Sequence, residues 1–120
     1  MPNYSETQLN DLFAALADPT RRAIIQTLAD KPQQSVSELA KPHDMALPSF
    51  TQHLKVLEAA GLISTRKVGR VRMVNIEAQP LTHAQKWLER QRKAWEARFD
   101  RLEALVTAME QTEDPEADNE

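Results

Sequence analysis

The stretch "DMALPSFTQHLKVLEAAGLI", residues 44–63, decides how the rest of the chain is read. Pro48 sits where the first turn of a helix tolerates a missing N–H, and Gly61 sits where a helix end needs a positive φ. At about 100° per residue, Phe50, Leu54 and Leu57 fall within an arc of about 60°, which predicts a face turned to a core. Pro48, Gln52 and Lys55 point the opposite way, with Ser49 and Thr51 on the flanks, and no exposed position from 48 to 55 is acidic. A phosphate backbone can approach such a face without like-charge cost. Gln52 offers the paired donor and acceptor that an adenine edge takes, Ser49 and Thr51 suit bases or phosphates, and Lys55 suits phosphate. An amphipathic helix with a merely solvated face has the same pattern, so the stretch alone leaves the two readings nearly even.

The residues that follow tip the balance. "LISTRK" and "RVRMVNI" are β-prone runs flanking Val68-Gly69, the pattern of a hairpin. "STRKVGRVR", residues 64–72, carries Arg66, Lys67, Arg70 and Arg72 and no acid. One or two charges suffice to guard a sheet edge against aggregation, whereas four cations around one turn repel each other unless an anion is near. A wing gripping a nucleic-acid backbone or minor groove is the better reading.

Upstream, Leu9, Leu12, Phe13 and Leu16 recur at helical spacing and predict a helix over about 6–17. Asp18-Pro19 reads as an N-cap and first-turn proline opening a second helix with Ile24, Ile25 and Leu28. Pro32 breaks it. Ser35 with Glu38 fits a capping box for a third, short helix, "VSELA". Downstream, Leu81, Leu88, Trp95, Leu102 and Met109 recur every seven residues along a segment without glycine or proline, widened by Ala84, Phe99, Leu105 and Val106. A helix over 81–109 would be about 43 Å long, more than a small domain covers by itself, so the stripe predicts pairing with a second copy.

The chain of 120 residues is sized for one domain: a loose segment over 1–5, a folded body over 6–109 and an acidic, apolar-poor tail over 110–120 expected to be disordered. The net charge of −3 misleads, because the tail holds six acids and no base, which leaves 15 basic against 12 acidic residues in the body. No apolar run approaches the roughly 20 residues of a membrane span, and no secretory signal pattern opens the chain, so a cytoplasmic protein is expected. The absence of cysteine removes disulfides and thiolate metal sites.

On "LFAALADPTRRAIIQTLAD", "SVSELA", "LPSFTQHLKVLEAAGLI" and "RKVGR", the chain resembles the ArsR family of bacterial winged helix-turn-helix transcriptional repressors over about residues 6–107. The wording of residues 44–62 is similar to a branch often encoded beside START-like proteins that bind lipids or hydrophobes. The resemblance implies a mainly α fold with a small β-hairpin and a long C-terminal dimerisation helix. It also implies a homodimer that represses by occupying a two-fold operator on double-stranded DNA. Carried over by position, Ser49, Thr51, Gln52 and Lys55 become recognition-helix contacts, and Arg66, Lys67, Arg70 and Arg72 wing contacts. The first and last helices would form the dimer through Leu9, Leu12, Phe13, Leu88, Trp95, Phe99, Leu102 and Val106. Family members that sense metals use cysteines in the helix written here "SVSELA", or Asp and His along the last helix. This chain has no cysteine, and His43, His53 and His83 are scattered, so no metal and no cofactor is expected. His53 falls about 60° from the core direction, which predicts packing rather than base contact. A small-molecule inducer is left open. The alternatives are a protein-interaction module on a winged-helix scaffold and a metal-responsive repressor using His and carboxylate ligands. No nucleophile–base pair, phosphate loop or carboxylate dyad suggests an enzyme.

Overall fold

The structure is a computed structural model that describes residues 5–118, with side chains through Thr112. It is mainly helical, in the order α1 (Glu6–Leu16), α2 (Pro19–Asp30), β1 (Gln33–Ser35), α3 (Val36–Ala40), α4 (Leu47–Ala59), β2 (Ile63–Val68), β3 (Val71–Ile76) and α5 (Gln79–Asp118). The three strands form one antiparallel sheet in the order β1-β3-β2, the winged helix-turn-helix arrangement.

Local chemistry sets the helix boundaries. Ser5 caps α1 through a capping box with Gln8, and Asp18 caps α2 by accepting the Arg21 N–H at 3.0 Å. A second capping box starts α3, with Glu38 N–H donating to Ser35 Oγ and Ser35 N–H to Glu38 Oε1. The carbonyls ending α2 find an unexpected partner. The buried Gln34 amide donates to Thr27 O and Lys31 O at 3.1 and 3.0 Å. Gln34 lies in β1, a strand the sequence does not announce, which pairs residue by residue from Gln33 opposite Asn75 to Ser35 opposite Met73.

The end of α4 is a Schellman motif. Leu62 N–H donates to Leu57 O and Gly61 N–H to Glu58 O, with Gly61 at φ +76°. Leu57 and Leu62 are both fully buried, supplying the apolar contact that accompanies this closure. At the hairpin tip Gly69 has φ +65° and Arg70 does not have a positive φ, the pattern of a type II′ turn, whose twist suits the flanking strands.

Contacts divide the chain into two units, Met1–Ala84 and Gln85–Glu120. The core of the first joins Leu12, Ile24, Leu28, Leu39, Phe50, Leu54, Leu57, Leu62, Ile63, Val74 and Ala84. Leu12 is 0% exposed within this core, which corrects its assignment to a dimer surface: it has no area left to give a second copy. Leu9 is packed partly against the same core, and Phe13 is exposed. The described residues of the second unit are all helical. α5 begins two residues earlier than expected and continues past Met109, so Glu110–Thr112, the start of the segment expected to be disordered, are helical. For residues 113–120 the side chains lie outside the described residues, as do residues 1–4 of the expected loose N-terminus.

Candidate nucleic-acid interface

The helix-turn-helix is built from α3, a turn over residues 41–46, and α4. The turn is closed by Lys41 N–H and His43 N–H, which donate to Glu38 O and Ala40 O. His43 stacks at 5.3 Å on Phe50, tying the turn to the side chain that plugs α4 into the core. Phe50, Leu54 and Leu57 are buried, as the helical wheel predicts. Ser49, Gln52 and Lys55 are exposed and Thr51 is half-buried, so one surface carries a hydroxyl, an amide and an ammonium. The N-cap is Ala46, which offers no side-chain acceptor. The first-turn N–H groups of α4 therefore add positive partial charge beside Ser49.

The wing cations do not form one patch. Strand register places Lys67 directly opposite Arg72, whereas Arg66 pairs with Met73 on the other face of the hairpin. Lys67 and Arg72 are thus like charges in direct cross-strand register, which is unfavourable without an anion. Arg72 is drawn into a chain of contacts, its Nη1 donating to Thr65 Oγ1 at 3.2 Å and Thr65 Oγ1 to Glu58 Oε2 at 3.1 Å. Arg66, Lys67 and Arg70 are exposed, and their side chains make no hydrogen bond or ion pair among the described residues. The sequence suggests four equivalent cations, and the structure shows three free ones and one anchored to the end of α4.

His53 is partly buried, as expected, and also has polar partners. Its ring does not simply pack: Nδ1 lies 3.1 Å from Arg21 Nη1 and 3.8 Å from Asp18 Oδ2. The Arg21 N–H, donated to the Asp18 carboxylate, is the main reason that carboxyl is held below its ordinary range. Arg21 and Asp18 escaped sequence reasoning because the "DPTRR" signal describes a helix start, and nothing in it specifies a contact 32 positions away. Among the described residues no group of three or more His, Asp or Glu side chains could hold a metal ion, and no helix is long and apolar enough to cross a membrane.

The side chains of α5 beyond Ala84 present an apolar stripe. Leu88, Trp95, Phe99, Leu102 and Val106 are each 51–62% exposed. Trp95 and Phe99 lie 6.0 Å apart, and the Arg98 guanidinium covers the indole at 5.3 Å. Elsewhere on this helix Arg92 pairs with both Glu89 and Glu96.

Comparison with known proteins places this geometry. A Helix-turn-helix domain family matches residues 16–66, from the end of α1 into β2. The HTH-type transcriptional regulator Rv2034 of Mycobacterium tuberculosis is 41% identical over 78 residues, covering 65% of this chain and 72% of that one. The arsenical resistance operon repressor of Escherichia coli is 30% identical over 96 residues, 79% of each chain. The crystal structure of an ArsR family transcriptional regulator superposes with a TM-score of 0.73 at 51% identity, covering 80% of this chain and 97% of that one. With a helix-turn-helix, a basic wing and these relatives, the chain is a DNA-binding transcriptional regulator, not an enzyme, and belongs to the ArsR family.

Proposed function

We propose that the protein is a homodimeric repressor that occupies a two-fold operator, with α4 in the major groove and the β2–β3 hairpin on the flanking DNA. The observation that carries this reading is the acid-free face of Ser49, Gln52 and Lys55 on the same unit as the unpaired Arg66, Lys67 and Arg70. Gln52, with Ser49 and Thr51 beside it, reads base edges. Lys55 and the wing cations neutralise phosphate, and Arg72 contributes once it exchanges Thr65 for a phosphate oxygen. Leu88, Trp95, Phe99, Leu102 and Val106, with Leu9 and Phe13 of α1, supply the apolar surface for a second copy. A two-fold dimer puts its two reading helices about one helical turn of DNA apart, roughly 10 bp or a multiple of it. The work of a DNA-binding regulator places the protein in the cytoplasm.

Repression is supported by the name of the Escherichia coli relative. Sensing without a metal is supported by the lack of cysteine and by the engagement of two histidines, His43 with Phe50 and His53 with Arg21.

Selection of binding sites from random DNA, followed by anisotropy titration, tests the reading. The expected result is a two-fold site bound with a steep salt dependence. Gln52→Ala should relax preference at one or two base pairs, by about 1–3 kcal/mol each, whereas Arg70→Ala should weaken all sequences alike and lower the salt slope by about 1. Equal affinity for selected and random DNA would overturn it.

A further inference from the structure

One side chain of the body joins three helices. Arg21, in the first turn of α2, donates from Nε to Ala15 O at 2.7 Å and from Nη2 to Ala14 O at 3.2 Å. These carbonyls belong to the last turn of α1, where the intrahelical ladder runs out, and Ala14 O also accepts the Ala17 N–H at 3.2 Å. The remaining nitrogen, Nη1, lies 3.1 Å from Nδ1 of His53, which sits on α4 one residue after Gln52. A guanidinium can only donate, so Nδ1 accepts and is unprotonated in this contact. The backbone end of Arg21 is fixed too, by its N–H on Asp18.

We propose that Arg21 is a positioning residue for DNA reading, setting the orientation of α4 through His53, and that protonation of His53 releases this hold. The proposal rests on the assignment of α4 as the reading helix. It deepens that assignment by naming what aims the helix and what disturbs the aim.

The groups around the ring define the switch. Among the described residues, the charged groups in contact with it are Arg21 of α2 and Asp18 at the cap of α2, while α1 contributes backbone carbonyls to the same cluster. A neutral ring accepts from Arg21. A protonated ring has a donor at Nδ1, which is repelled by the guanidinium and attracted to the Asp18 carboxylate 3.8 Å away. That carboxyl is held below its ordinary range, chiefly by the Arg21 N–H, and is the anion within reach of the ring. Acid therefore moves His53 from one partner to the other. General electrostatics predicts the reverse outcome for DNA binding, since added positive charge strengthens it.

The test uses the full chain, its selected operator and three variants. His53→Asn keeps an acceptor close to the position of Nδ1 and does not titrate; His53→Leu removes the acceptor; Arg21→Lys keeps one charge but not the fork. At about pH 8, His53→Leu and Arg21→Lys should bind the operator roughly tenfold more weakly than wild type, and His53→Asn within about twofold. On acidification, wild type should lose roughly tenfold relative to His53→Asn. Amide hydrogen exchange without DNA supplies the second readout. The amides of α4 should exchange faster in His53→Leu than in His53→Asn, with wild type moving from the second pattern to the first on acidification. Should Arg21→Lys fail to fold, the two His53 variants decide. The proposal is overturned if His53→Leu matches wild type in both readouts at about pH 8, or if wild type and His53→Asn have parallel pH profiles. Wild type without operator preference would overturn the proposed function alone, since the exchange comparison still decides the role of Arg21.

Discussion

Helix α4 and the stretch of α5 from Gln85 to Thr112 carry the same kind of apolar periodicity and differ in what covers it. In α4, Phe50, Leu54 and Leu57 are 5% exposed or less. In α5, Leu88, Trp95, Phe99 and Leu102, of equal or larger apolar area, are more than half exposed. Periodicity states that a face will be buried, and not against what. The apolar face of α4 meets its partners within its own unit, whereas the stripe of α5 calls for a partner outside it.

Mutations on the two helices should therefore fail in different ways. The largest effect is expected at Phe50→Ala, which leaves a cavity under α4 and should cost about 3–5 kcal/mol in denaturant unfolding. Replacing Trp95 and Phe99 together by Glu should weaken self-association by about 100-fold or more in sedimentation equilibrium, with the body still folded by circular dichroism. An unchanged oligomeric state would remove the homodimer from the proposed function. Gly61→Ala should cost about 1–2 kcal/mol in thermal melting, since a Cβ is disfavoured at φ +76° even though the nearest side chain, Pro80, leaves room at 3.6 Å.

The smallest effect concerns Asp18. Its folded-state pKa lies below the ordinary 3.8, so its contribution is present above that value and is lost as pH falls through the lower, folded-state one. Asn is a comparably good N-cap, so Asp18→Asn isolates the charge. The gap in melting temperature between wild type and Asp18→Asn should close as pH falls below about 4.

Where the sequence is informative, a stereochemical constraint makes it so. Pro19, Pro48 and Gly61 mark helix ends because few conformations admit them, and Ser35 with Glu38 marks a cap because two hydrogen bonds need that spacing. The buried face of α4 follows from the same periodic logic. Strand β1 is illegible because "QQS" holds no β-branched or aromatic residue: its pairing comes from β3, and Gln34 is buried by its bonds to the end of α2. Leu12 and Leu9 share a helix face with Phe13, and spacing does not reveal which of them the core consumes. The division of the wing cations needs the register of β2 on β3, which one residue of slip would invert. The Arg21–His53 contact is long-range and polar, and no periodicity encodes it.

The Schellman closure at Gly61 has a mechanical consequence. Only three residues, Ala60 to Leu62, separate the last turn of α4 from the first residue of β2, and Leu62 is pinned on both sides: its N–H donates to Leu57 O and its carbonyl accepts the Glu77 N–H. Helix and hairpin therefore act as the two jaws of a caliper whose gap is fixed by a single turn of chain. A residue inserted at this junction would reset the spacing and angle at which the jaws close, while leaving the chemistry of each jaw intact.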